Sequence, residues 1–409
     1  MTKSNKNNGK LNTTLTAPKG FLAAGISCGV KISGNKDVGM ICCPTGAKAA
    51  AVFTTNKVVS AAVTICKQHV KTGDIEAIIV NSGNANTCTG KLGLENAQTM
   101  CQNVAELIDA KANQVLIAST GIIGHQLPMD KINHGIILAA AKLSSSPNAG
   151  DDFAHAIMTT DTKCKQTHKT VVIGGKTITI AGTTKGAGMI GPNMATTLCF
   201  ITTDADISKN LLQKSLSEAI GNSLNKLTVD GHQSTNDTAI ILASGLAGNK
   251  AITKADAQYK KFASALAELT TDLAKQMALD AEGATRMFTV IINGAASTQE
   301  AIKAARAVAD YDLVKCAIHG SDPNWGRIIC AVGSCGVKLN PNKLTCLIGN
   351  VTVFKNGQPA KFDPKKASKI ISQKEHTIMV NLGAGKFCDF CYGCDLTKDY
   401  VTINADYHT

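Results

Sequence analysis

Aromatic residues are scarce in this chain: Phe, Trp and Tyr make up 4% of its 409 residues, with a single tryptophan. Arginine is also rare, with only Arg286, Arg306 and Arg327 among the 42 basic residues. Base readout and base stacking rely on arginine and aromatic side chains, so the net charge of +12 does not point to nucleic acid. Lysines spread along the chain describe a solvated basic surface, which suits small anionic substrates. No apolar run approaches the roughly 18 to 20 residues of a membrane span, so no membrane partner is expected. Residues 1–16 hold neither an apolar stretch nor a cleavage pattern and read as a polar tail, with no secretory signal. Fifteen cysteines at scattered spacing, an odd number, read as reduced, buried thiols in a cytoplasmic setting.

The chain does hold enough apolar residues (44%) to bury a large core. Short β-like runs are predicted at Val38–Cys42, Ala51–Thr55, Ala61–Ile65, Ile75–Val80 and Gln114–Ala118, with helices over 94–110 and 128–142. A hairpin is expected over 169–180, turning at Gly174-Gly175. Helices are expected over 152–158, 209–226 and 255–279, and strands over 238–242 and 287–292. Beyond a joint at Gly294, the pattern gives helix 300–309, strand 313–318, helix 324–332, hairpin 344–354, helix 364–372 and two closing strands. Hairpins mixed with crossovers predict an α+β or mixed α/β architecture. The domains expected are a tail (1–16), an α/β domain (17–293) and a smaller C-terminal α/β domain (294–409).

The stretch from Lys185 to Asp204, KGAGMIGPNMATTLCFITTD, supports two readings. Gly186, Gly188 and Gly191 spell the dinucleotide-binding G-x-G-x-x-G. That motif requires a following helix to hold the pyrophosphate. Here Pro192 and then a β-branched run from Thr196 predict a strand, and no Walker A loop occurs elsewhere. The second reading is self-processing. Thr196 follows the small Ala195 and a glycine-rich approach that tolerates strain. Attack by its hydroxyl on the Ala195 carbonyl gives an ester, and hydrolysis frees an α-amine that titrates near roughly 7.7 to 8. Such an amine can act as base for its own hydroxyl.

The motifs together resemble the ornithine acetyltransferases, or glutamate N-acetyltransferases, of arginine biosynthesis. The resemblance rests on that central stretch and on APKGFLAAG (17–25), NSGNAN (81–86), STGIIG (119–124), MTTDT (158–162), STNDT (234–238), AEGAT (281–285), DPNWGRI (322–328) and DLTKDYVTINADYHT (395–409). It implies a layered sandwich of helices and sheets and self-cleavage between Ala195 and Thr196. It further implies an acetyl ester on Thr196 that carries the acetyl group of N-acetylornithine to glutamate. Thr120 and Gly121 match the family's oxyanion-stabilising pair. Thr159, Lys185, Thr196, Glu282, Asn404 and Thr409 match its substrate-binding positions. The two fragments are expected to pair as a heterotetramer of two of each, with no cofactor and no metal. Use of acetyl-CoA as a second donor separates bifunctional from monofunctional members. The chain departs from the family pattern at His232 within DGHQSTNDT, at His319, and at His408 beside Thr409.

Two other functions compete with this one. A self-processed aminopeptidase or amidase would use the same nucleophile with water as acceptor. A redox or iron–sulfur protein would rest on GAGMIG and on Cys388, Cys391 and Cys394, although a fourth ligand is missing nearby. Trp325 and Arg327 are expected to pack the second domain, and Asn81–Asn86 to border the site.

Overall fold

A computed structural model describes residues 12–191 and 197–406. The chain opens with β1 (Leu22–Ile26) and the long β2 (Val38–Phe53), then α1 (Ala61–His69), β3 (Ile75–Asn84) and α2 (Gly90–Ile108). Next come β4 (Val115–Ile122), α3 (Met129–Ala141), α4 (Pro147–Ile157), and the hairpin β5 (Lys165–Ile173) with β6 (Lys176–Lys185). They are followed by β7 (Leu198–Thr203), α5 (Lys209–Gly221), β8 (Thr238–Ala243) and α6 (Ala257–Leu279). The last third runs β9 (Met287–Ala295), α7 (Thr298–Asp310), α8 (Asp312–His319), α9 (Trp325–Ser334), β10 (Thr345–Ile348), β11 (Val351–Lys355) and β12 (Gln358–Pro359). It closes with α10 (Pro364–Ile371), β13 (Glu375–Asn381), β14 (Phe387–Cys394) and α11 (Lys398–Asp406).

The first sheet has the order β4-β3-β2-β8-β7-β6-β5, with β1 also paired to β2. β3 with β4 and β7 with β8 are parallel, and the other pairs are antiparallel. β2 serves two neighbours in turn: Val38–Cys42 pair with β3, and Lys48–Phe53 pair with β8. Apolar residues alternate along the central strands. Leu198 and Phe200 of β7 enter one core, with residues of α1 to α4, whereas Cys199 and Ile201 enter another, with α5 and α6. That period of two buries the sheet on both faces and makes a layered sandwich. The second sheet, β12-β11-β10-β13-β9-β14, covers its own core against α7 to α10. The architecture is mixed α/β, as the sequence predicts. β9 belongs wholly to the second sheet, so this strand crosses the 293/294 boundary expected from the sequence.

Two strands expected from sequence are helices. Ala61–Ile65 starts α1, because the Ser60 hydroxyl caps it by accepting from Val63 N–H at 3.1 Å. Leu313–Ile318 lies in α8, where Val314, Ala317 and Ile318 are buried while Leu313 and Cys316 face out. The expected helix over 209–226 ends at Gly221, and a 3₁₀ turn covers Leu224–Lys226.

Candidate active site

Two parallel strand ends form one wall of the site. β3 and β4 run in register to Ser82 opposite Thr120 and Gly83 opposite Gly121, where the pairing becomes irregular. Gly121 has φ +130°, and a Cβ there would sit 2.4 Å from the Gly83 carbonyl carbon. Only glycine fits at this position. The NSGNAN segment is the frame of this wall. Ser119 Oγ donates to Asn81 Oδ1 at 2.6 Å, and Asn81 Nδ2 donates to the Asn84 carbonyl at 2.8 Å. Asn236, from the STNDT segment before β8, clamps the wall from outside: its Nδ2 donates at 2.7 Å to both the Ala85 and Ser119 carbonyls.

The opposite wall is charged. Lys185, the last residue of β6, is buried, and its Nζ donates to Thr159 Oγ1 at 3.2 Å. Burial pushes its ammonium below the ordinary lysine range, against the opposing charges of Asp161, Asp237 and Glu282. The turn bearing Thr159 is anchored by Asp161. This carboxylate accepts from Thr159 N–H at 3.0 Å and Gly186 N–H at 2.7 Å, and pairs with the buried Lys165 at 2.5 Å. Lys165 also reaches Asp280 at 2.6 Å.

Glu282 joins three segments. It accepts from Thr160 Oγ1 at 2.6 Å and from Asn404 Nδ2 of α11 at 2.9 Å, while its own N–H donates to the Ala187 carbonyl. A Cβ on Gly188 would lie 2.1 Å from Glu282 Oε2. The central glycine of GAGMIG therefore makes room for a carboxylate. Among the described residues the next element after the motif is a strand rather than a helix: β7 pairs antiparallel with β6, Lys185 opposite Leu198. The dinucleotide reading falls on that geometry. Asp230 closes the floor, accepting from Met189 N–H at 2.7 Å and Tyr400 Oη at 3.1 Å. Burial, and then the Asp230 charge, push the Tyr400 phenol upward. Behind it, buried Lys315 of α8 donates to the Val229 carbonyl at 2.6 Å.

These walls enclose a cavity of about 310 Å³. Of the residues expected from sequence, Thr120, Gly121, Thr159, Lys185, Glu282 and Asn404 all line it. Ala195, Thr196, His408 and Thr409 lie outside the described residues. The structure adds Thr160, Asp230, His232, Ser234 and Tyr400, among others, to the lining. The polar run 230–237 was visible as a run, but nothing in the sequence says which of its members face the cavity. Cys388, Cys391 and Cys394 do not converge. Spacing of three along β14 leaves Cys388 exposed, Cys391 in the second-sheet core and Cys394 in the α5–α6 core. Among the described residues no group of three His, Cys, Asp or Glu side chains could hold a metal ion.

Known proteins resemble this chain over most of its length. A model of the ArgJ family matches residues 22–409. The arginine biosynthesis bifunctional protein ArgJ of Symbiobacterium thermophilum is 45% identical over 397 residues, covering 97% of this chain and 98% of that protein. Among solved structures, the ArgJ protein of Bacillus halodurans aligns at 43% identity over 51% of this chain and 98% of its own, with a TM-score of 0.49. An ornithine acetyltransferase from Mycobacterium tuberculosis, complexed with ornithine, aligns at 36% identity over 44% and 95%, with a TM-score of 0.40.

Proposed function

This chain belongs to the ArgJ family, and on that premise we propose that it moves the acetyl group of N2-acetylornithine to glutamate in arginine biosynthesis. The observation that carries the reading is the single cavity in which the Thr120–Gly121 strand end faces Lys185 and Glu282. Thr196 first attacks the Ala195 carbonyl; the peptide nitrogen leaves as a new α-amine, and water hydrolyses the resulting ester. That amine then takes the Thr196 hydroxyl proton as the oxygen attacks the acetyl carbonyl. Negative charge gathers on the former carbonyl oxygen, and the Thr120 hydroxyl with the Gly121 amide supplies donors for it. A donor fixed at such a position contributes roughly 2.7 to 4 kcal/mol.

Ornithine departs carrying the proton, and the glutamate amine attacks the Thr196 ester in the second half of a ping-pong cycle. Both substrates carry an α-carboxylate, for which Lys185 is the counter-charge. Glu282 faces the side-chain ammonium of ornithine, with Thr159, Asn404 and Thr409 completing the substrate contacts. Acyl transfer of this kind needs no redox cofactor. The relatives named bifunctional support acetyl-CoA as a further donor. The fragments 1–195 and 196–409 pair as a heterotetramer of two of each, in the cytoplasm. Among the described residues no helix is long and apolar enough to cross a membrane.

Intact mass of purified protein, followed by assays with N-acetylornithine or acetyl-CoA plus glutamate, tests this reading. Two fragments and acetyl exchange are expected. A fully active uncut chain would sink the mechanism, and release of amino acids from peptide amides without exchange would favour the aminopeptidase. Thr196→Ala is expected to abolish both cleavage and transfer.

A further inference from the structure

The residue that follows the assigned nucleophile is held at both its polar backbone atoms. Thr197 N–H donates to Asp237 Oδ1 at 2.9 Å, and the Thr197 carbonyl accepts from Thr238 N–H at 2.9 Å. Both partners come from one short stretch at the start of β8, which runs parallel to β7 with Leu198 opposite Thr238. Asp237 is itself immobilised. Its carbonyl accepts from Thr54 N–H at 2.9 Å, just past the end of β2, and its side chain is fully buried. Among the described residues its second oxygen, Oδ2, has no hydrogen-bond partner.

A buried carboxylate is expensive unless paired, and a buried carboxyl responds by keeping its proton. Burial pushes Asp237 well above the usual carboxylate range, against the Thr197 N–H, the Lys185 charge and the Ser234 hydroxyl. Burial therefore favours its proton, and Oδ1 is a fixed acceptor. No step of the acyl transfer described above uses it, and as a fold device it is an odd choice. A carboxamide or a water would satisfy the same N–H without a titratable group at the heart of the sheet.

We propose that Asp237 is a positioning residue for Thr196: by holding the amide that joins Thr196 to Thr197, its Oδ1 sets the direction from which the Thr196 hydroxyl approaches a carbonyl. The inference rests on Thr196 being the nucleophile. The N–H in question belongs to the peptide link between those two residues, so displacing Oδ1 swings the Thr196 Cα. Self-cleavage and acyl transfer use the same hydroxyl, and both depend on this one hydrogen bond. A misplacement near 1 Å costs roughly 10²-fold in rate. Because only an acceptor oxygen at that place is required, asparagine reproduces the function and glutamate, which carries that oxygen one methylene further, does not. This reverses the usual expectation for a charge-conserving substitution.

The test compares full-length Asp237→Asn, Asp237→Glu and Asp237→Ala with Thr196→Ala and the parent. Cleavage is followed by intact mass with time, transfer by steady-state kinetics, and folding by thermal unfolding. Asp237→Glu and Asp237→Ala are expected to slow cleavage and to lower kcat roughly 10²-fold with KM little changed. Asp237→Asn is expected to restore both to within a few-fold of the parent. The split between kcat and KM, and the rescue by asparagine, are readouts that a loss of packing alone does not produce. If Asp237→Ala does not fold, the Asn and Glu pair decides the matter. Parent-like rates in Asp237→Glu overturn the proposal. So does an Asp237→Asn as slow as Asp237→Glu at an unchanged unfolding midpoint, which would make the carboxyl proton itself essential. A Thr196→Ala chain that still cuts and transfers would instead remove the nucleophile assignment, whatever the Asp237 variants do.

Discussion

Lys185 shows how a single side chain can be specialised by its surroundings. Its Nζ donates to Thr159 Oγ1, and an ammonium has three donors, so hydrogens remain to meet a substrate carboxylate. Lys185→Met keeps the length and removes the charge. It is expected to raise KM for both substrates and to lower kcat/KM roughly thirtyfold, about 2 kcal/mol. A fall in kcat at unchanged KM would take Lys185 out of substrate binding. Burial holds its ammonium below the ordinary range near roughly 10.4. In the proposed role the charged form binds the anion, so kcat/KM is expected to fall as pH rises through that lowered value. At this scale much of the site was legible in the sequence: Thr120, Gly121, Thr159, Lys185, Glu282 and Asn404 sit in long motifs and meet in one cavity. Thr160, Asp230 and Tyr400 were not, because a lone polar residue declares its partner only when the chain is folded. Asp237 stood inside a quoted motif, yet its bond to Thr197 spans 40 residues and no local spacing announces it.

The turn between α4 and β5 depends on a buried triad. Asp161 and Asp280 both meet Lys165, whose side chain is 1% exposed. Lys165→Met would leave two carboxylates without their cation, a loss of about 3 to 5 kcal/mol. A markedly lower unfolding midpoint and a loosened Thr159–Asp161 turn are expected; an unchanged midpoint would show the triad to be dispensable. Burial alone would raise the Asp161 carboxyl, but Lys165 and Lys185 outweigh it and hold the group below its usual range. A carboxyl with a depressed folded value contributes stability above its unfolded value, near roughly 3.9, and loses it as pH falls further. Asp161 thus contributes this stability in full at neutral pH. Element types were readable where the apolar period was long, as in α2 and α6, or where a turn fixed the register, as in β5–β6. They were misread at Ala61–Ile65 and Leu313–Ile318. A run of five or six apolar residues has no period of its own, and only the Ser60 cap or the facing partners settle it.

Across the whole molecule, acid tolerance is expected to hinge on His376 in the second sheet. Its ring stacks on Phe288 at 5.9 Å, and neither ring nitrogen has a hydrogen-bond partner among the described residues. Burial pushes its pKa down to about 4. The unfolded chain takes up this proton near roughly 6.5, so stability is full above that value and falls as pH drops from there toward 4, by up to about 3 kcal/mol. His376→Phe should flatten the unfolding midpoint across that window; an unchanged slope would exonerate the histidine. Fold class was readable from the mixture of hairpins and crossovers, but strand order was not, since β2 meets β8 across nearly two hundred residues. That order carries a consequence of its own. β7 and β8 lie between β2 and β6, so a chain opened between 195 and 196 gives two pieces interleaved like fingers of clasped hands. Among the described residues, opening the backbone there breaks no rung of the first sheet, yet the first piece is left with β1–β4 on one side and the β5–β6 hairpin on the other, parted by the β7–β8 pair that the second piece supplies. A nick there would be a ratchet. The chain would fold once, as a unimolecular event, and denatured halves would have to find each other in solution to recover it.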